Sequence, residues 1–159
     1  FDGDGAMDVL TANGDNADYT PFAKHYHGVR VYLNDGENNF VEAVFYPLNG
    51  AYKALPVDFD GDGDLDIAAI SFFPDYEKAP EESFVYLENE GDMAFVAWTF
   101  LAATDARWLT MDAGDIDGDG DEDIVLGAFV RGASNVPPAL EKRWQREATS
   151  ILILRNKHF

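Results

Sequence analysis

The sequence predicts an all-β protein assembled from a repeated unit of four antiparallel strands, and three observations carry that expectation. An acidic motif, Asp-x-Asp-x-Asp-Gly-x-x-Asp, recurs along the chain, with Asp-Gly-Asp cores beginning at Asp2, Asp60 and Asp117, a period of about 57 residues. A second landmark follows each core: Val31-Tyr-Leu-Asn-Asp-Gly, Val85-Tyr-Leu-Glu-Asn-Glu-Gly and Ile153-Leu-Arg-Asn. The apolar runs between landmarks are short and bounded by Gly, Pro, Asn and Asp, as strands are.

Within the middle unit the first strand, A, runs near Tyr52–Val57 and ends at the acidic motif. Strand B, from Asp66 to Phe72, is nearly all apolar, the pattern of a strand covered on both faces. Strand C covers Ser83–Leu87, and strand D covers Ala94–Phe100 after a Gly-containing turn. The pattern Phe95-Val-x-x-x-Phe100 of strand D has a counterpart in Phe40-Val-x-x-x-Phe45. One helix is predicted, Ala139–Ala148, inside a loop.

Four antiparallel strands at this period describe a blade of a β-propeller. The chain then supplies strands B, C and D of one blade over 1–45, a complete blade over 51–100, and strands A, B and C of a third over 107–159. Three such units do not close a ring, since closure takes at least about four blades. Neighbouring blades are expected from the parent chain or from another subunit. Phe1 falls inside the first motif, so the chain reads as part of a longer protein, with any export signal upstream.

The composition narrows the chemistry. The 159 residues are 47% hydrophobic and 14% aromatic, enough for a folded core. A net charge of −19 opposes binding to nucleic-acid phosphates and to anionic membrane surfaces. The absence of cysteine removes disulfides, zinc–thiolate sites and thiol nucleophiles. No apolar run approaches a membrane span of about 18 residues. No nucleophile elbow, phosphate loop or dinucleotide fingerprint is present.

The acidic motifs have the spacing of calcium loops. Side chains at positions 1, 3 and 5 and a main-chain carbonyl at position 7 wrap the ion, and Gly at position 6 permits the turn. Asp58, Asp60, Asp62, Asp64 and Asp66 fill the odd positions of one loop, and Asp115, Asp117, Asp119, Asp121 and Asp123 repeat them. The first loop enters at position 3, as Asp2, Asp4, Ala6 and Asp8. Ala6 has no ligating side chain, which points to the main-chain carbonyl at position 7 in all three. The all-oxygen donor set favours Ca²⁺ over zinc or copper, and over Mg²⁺, which keeps its waters. Two full sites and one partial site are expected. An EF-hand would carry Glu at position 12, where Ala69 and Leu126 stand, so Asp66 and Asp123 at position 9 are expected to close the coordination as bidentate ligands.

Asp58-Phe-Asp-Gly-Asp-Gly-Asp-Leu-Asp66-Ile and Asp115-Ile-Asp-Gly-Asp-Gly-Asp-Glu-Asp123-Ile resemble the FG-GAP/VCBS repeats of integrin-like propellers. The Phe-Gly and Gly-Ala-Pro signatures are poorly kept, which places the likeness nearer the bacterial VCBS type. The resemblance implies metal in the A–B hairpin and rings of about seven blades.

If the A–B and C–D turns share one end, the long B–C connections Asn13–Gly28, Phe73–Glu82 and Gly127–Thr149 share the other. Long loops gathered on a rigid scaffold are where binding usually resides. Candidate ligand residues there are His25, Tyr26, His27, Tyr76, Arg131, Arg143 and Trp144. His25 and His27 find no third ligand for a transition metal. Trp108 is placed either in a central channel or in blade packing, and Trp98 at a blade–blade contact. The leading functional expectation is a non-catalytic, calcium-stabilised extracellular, cell-surface or periplasmic module for adhesion to a carbohydrate or protein. Its rivals are a lobe of a polysaccharide lyase or hydrolase with its site on the B–C face, and a structural subunit of a fibre or ring.

Overall fold

Alternating side chains along short runs produce ten strands in the computed structural model, which describes residues 1–14, 24–130 and 136–157. The strands form three antiparallel sheets, each laid out in chain order. The first holds β1 (Val9–Asn13), β2 (Gly28–Asn34) and β3 (Phe40–Pro47). The second holds β4 (Ala51–Val57), β5 (Asp66–Ser71), β6 (Phe84–Asn89) and β7 (Phe95–Trp98). The third holds β8 (Trp108–Gly114), β9 (Asp123–Ala128) and β10 (Ile151–Leu154). These are strands B–C–D, A–B–C–D and A–B–C, as the repeat predicts. The chain is a segment of a β-propeller, and its sheets do not close on themselves.

Two apolar layers join the sheets. Val29 and Val31 of the first, with Leu48 just beyond β3, pack with Ile67, Ala69, Val85 and Leu87 of the second. Ala68, Ile70 and Phe84 on the opposite face of the second meet Trp108, Met111, Ile124 and Leu126 of the third. Every residue of β5 is therefore buried. The outer sheets lack a neighbour on one side: Ile151 is 66% exposed and Ile153 43%, whereas Phe84 is buried in the same strand position of the second sheet. At about 25 cal/mol per Å² of apolar surface, the two layers are the main source of stability.

The helix α1 (Pro138–Glu147) lies within one residue of its predicted limits. Pro138 suits its first turn, where the missing N–H costs nothing, and Ala148 ends it in the left-handed region. Two 3-10 turns, Pro80–Ser83 and Leu101–Asp105, were not foreseen. They are fastened together by Ser83 Oγ, which donates to the Ala103 carbonyl at 2.6 Å. Trp108 is fully buried in the layer between the second and third sheets, and its Nε1–H donates to Ala103 O at 2.8 Å. Of its two expected places, packing is the one realised.

Candidate metal centre and loop face

Each full acidic loop is the hairpin between strands A and B of its sheet. Glycines at positions 4 and 6 turn the chain through the left-handed region, with φ of 73° and 101° at Gly61 and Gly63 and 80° and 100° at Gly118 and Gly120. No atom crowds Gly63, Gly118 or Gly120, so the demand there is conformational rather than steric. The carboxylates are aimed inward by loop N–H groups: Asp58 Oδ1 and Oδ2 accept from Gly61 and Gly63 at 2.8 and 3.0 Å. Asp115 does the same with Gly118 and Gly120 at 2.7 and 3.1 Å.

The result is two clusters, Asp58–Asp60–Asp62 and Asp115–Asp117–Asp119, in each of which a carboxylate oxygen from every member lies within 4.8 Å of the others. Such crowding is unfavourable without a cation. Desolvation, then the charges of Asp66, Asp62 and Asp58, push the Asp60 carboxyl above its ordinary range despite a hydrogen bond from the Asp62 main chain. Asp117 is pushed up by desolvation and by Asp119 and Asp123, and partly relieved by Arg155. Hard, convergent oxygen donors that repel one another fit a divalent cation such as Ca²⁺. The side chains of Asp64 and Asp121 stand outside both clusters, as do Asp66 and Asp123. Asp2, Asp4 and Asp8 form no such cluster; Asp2 and Asp4 instead accept N–H bonds from Asp4 and Ala6 at 3.1 and 2.7 Å.

Position 9 has a role that the motif alone did not reveal. Asp66 and Asp123 are fully buried. Asp66 Oδ2 accepts from Phe59 N at 3.0 Å and from the Tyr86 hydroxyl at 2.7 Å, while Oδ1 accepts from Asn89 N at 2.8 Å. Asp123 accepts from Ile116 N at 3.2 Å and Asn156 N at 2.8 Å. Asp8 accepts from Asn34 N at 2.9 Å and from Phe1 N, the position equivalent to Phe59 and Ile116, at 2.6 Å. Position 9 thus clamps the loop start to an asparagine at the end of strand C, and it presents its charge to the cluster from beneath.

The three asparagines Asn34, Asn89 and Asn156 were missed. Aligning Val31-Tyr-Leu with Val85-Tyr-Leu sets Asn34 opposite Glu88, one residue out of step. The irregularity in the β2–β3 ladder at Val31/Tyr32 accompanies that offset. Their side chains add further ties: Asn34 Nδ2 donates to Met7 O at 3.1 Å, and Asn156 Nδ2 donates to Phe59 O of the neighbouring loop.

The described residues of the long connections lie at the opposite end. His25, Tyr26 and His27 stack edge to face in sequence, with ring centroids 5.7 and 5.1 Å apart. His27 is buried and its Nδ1 accepts from Gly50 N at 3.2 Å, whereas His25 and Tyr26 face solvent. A cleft of about 480 Å³ between the first and second sheets is lined by His25, His27, Asp75, Lys78 and Glu82 among others. Tyr76 and Trp144 are not in it. They are buried against each other, 5.5 Å between centroids, and Trp144 Nε1–H donates to Thr104 O at 2.9 Å. Arg143 pairs with Asp105. Arg131 lies outside the described residues. Arg107 is fully buried, with its guanidinium 4.2 Å from the Phe72 ring centroid and its Nε donating to Phe72 O at 3.0 Å. Trp98 is half-exposed on the rim of a second cleft, about 380 Å³, between the second and third sheets.

Residues 1–69, from the truncated loop through the first full loop and most of β5, match the family model of the FG-GAP-like repeat. Beyond the match, the loop at 115–123 restates the FG-GAP-like motif residue for residue at its odd positions, in the equivalent hairpin of the third sheet. No curated protein and no solved structure matches the chain. Among the described residues, no helix is long and apolar enough to cross a membrane.

Proposed function

We propose that this FG-GAP-like segment is a calcium-stapled, non-catalytic recognition module that works outside the cell and binds a carbohydrate or protein through its B–C loop face. The observation that carries the reading is the pair of three-aspartate clusters, set in equivalent hairpins of adjacent sheets and anchored from below by buried Asp66 and Asp123. Ca²⁺ at both removes the repulsion that otherwise opposes the hairpins. Extracellular modules of this kind work at roughly 10⁻⁴–10⁻³ M ion, which suits secretion.

The cleft beside His25 and Glu82 supports the location of the ligand. It combines acidic, basic and imidazole groups at the end away from the metal, so calcium has a structural part and recognition a separate one. Tyr76 and Trp144 serve this face by packing its loops, and His25 and Tyr26 are the groups available for contact.

The test is binding to a panel of glycans and extracellular proteins in calcium buffer. Binding lost on His25→Ala with Tyr26→Ala, but kept on Trp98→Ala at the other cleft, is the expected outcome. Silence across the panel contradicts recognition.

A further inference from the structure

The two full loops are identical at every odd position, yet one equivalent place beside them carries opposite charge. The asparagine clamps put Asn89 and Asn156 in register, so the residues just before them, Glu88 and Arg155, occupy equivalent places beside their loops. Arg155 Nη1 donates to Asp117 Oδ2 at 3.0 Å, pairing a guanidinium with the position-3 carboxylate of the 115–123 loop. Glu88 instead accepts from Trp98 Nε1 at 2.6 Å. Among the described residues, no basic side chain pairs with a carboxylate of the 58–66 loop.

We infer that Arg155 makes the 115–123 loop the weaker of two unequal calcium sites, a statement that rests on the calcium reading above. Asp117 must give up its bond to Arg155, or share an oxygen with it, before it engages an ion. A unit positive charge at that distance also repels a divalent cation directly. No carboxylate of the 58–66 loop is bonded to Arg155, which lines the same cleft as Asp60, and Glu88 stands in the equivalent place with a negative charge. The 58–66 loop therefore fills first as calcium rises, and the 115–123 loop fills at higher concentration. Arg155 is 56% exposed, so it yields to the ion rather than blocking it, and the effect is screened by salt. The expected difference is about five- to tenfold in affinity.

Calorimetric titration of the chain with CaCl₂ at low ionic strength decides the point. Two steps are expected; Asp117→Asn removes the weaker and Asp60→Asn the tighter. Arg155→Gln tightens the weaker step by about five- to tenfold, and 1 M KCl, where the Debye length is about 3 Å, shrinks the difference between the loops. Equal affinities in the wild-type chain, or a weaker step unmoved by Arg155→Gln, overturn the inference while leaving calcium binding intact. Absence of binding at either loop overturns the calcium reading and the inference together.

Discussion

Asp66 reaches across its sheet to Asn89: the buried carboxylate at the foot of the acidic loop accepts the main-chain N–H at the end of strand C at 2.8 Å. The same bond recurs between Asp123 and Asn156 and between Asp8 and Asn34. The hairpin between strands A and B is thereby tied to the end of strand C, and each acidic loop is part of its blade rather than an appendage.

This relationship separates two kinds of aspartate. Asp66→Ala leaves the donors at Phe59, Asn89 and Tyr86 without their acceptor and is expected to cost about 3 kcal/mol or more, with or without calcium. Asp60→Asn removes a mutually repelled carboxylate. In EGTA it changes stability by no more than about 0.5 kcal/mol or raises it slightly, and it lowers stability only when calcium is present. Urea denaturation of both variants in each buffer checks the contrast.

Trp144 is a packing residue of the loop face, held in place by Tyr76 and the Thr104 carbonyl. Trp144→Ala is expected to cost about 3–5 kcal/mol, the range for truncating a buried Trp. The same experiment on Arg143→Ala, whose partner Asp105 is partly exposed, gives a loss nearer 1 kcal/mol. Thermal unfolding of the two variants measures both.

Glu82 lines the first cleft, and burial, followed by the charges of Glu81 and Asp75, raises its carboxyl above the ordinary range. The folded chain holds that proton more tightly than the unfolded chain does. Glu82 therefore opposes folding at neutral pH, and the opposition disappears as pH falls from its folded value to below its unfolded one. Glu82→Gln is expected to stabilise the protein at pH 7 by under about 1 kcal/mol, with no gain near pH 4. Denaturant midpoints at the two pH values give the comparison.

The strands and sheets were legible because their information is local: β5 is a continuous apolar run, and each acidic motif breaks the chain into a hairpin. The convergence of the first three aspartates of each full loop was legible in their spacing, whereas Asp66 and Asp123, expected to close the coordination, lie outside the clusters. Other features depend on contacts between distant residues. The asparagine clamp joins residues 23 apart at Asp66–Asn89 and 33 apart at Asp123–Asn156, and its sequence landmark slips by one residue at a strand irregularity. Tyr76 and Trp144 look like binding aromatics in a long loop until α1 folds back over the face and buries them. The 3-10 turn at Pro80–Ser83 exists beside the one at Leu101–Asp105 because Ser83 and Ala103 meet.

Calcium as a structural staple is the centre of this account, and a melting curve tests it most directly. At about 10 mM free ion, dissociation constants near 10⁻⁴ M for the tighter site and 10⁻³ M for the weaker add about 2.7 and about 1.4 kcal/mol. At roughly 2–4 °C per kcal/mol, the two sites together raise the midpoint by about 8 °C or more over the same chain in EGTA. Magnesium at equal concentration produces a much smaller shift. A midpoint that is the same in calcium and in EGTA contradicts the account.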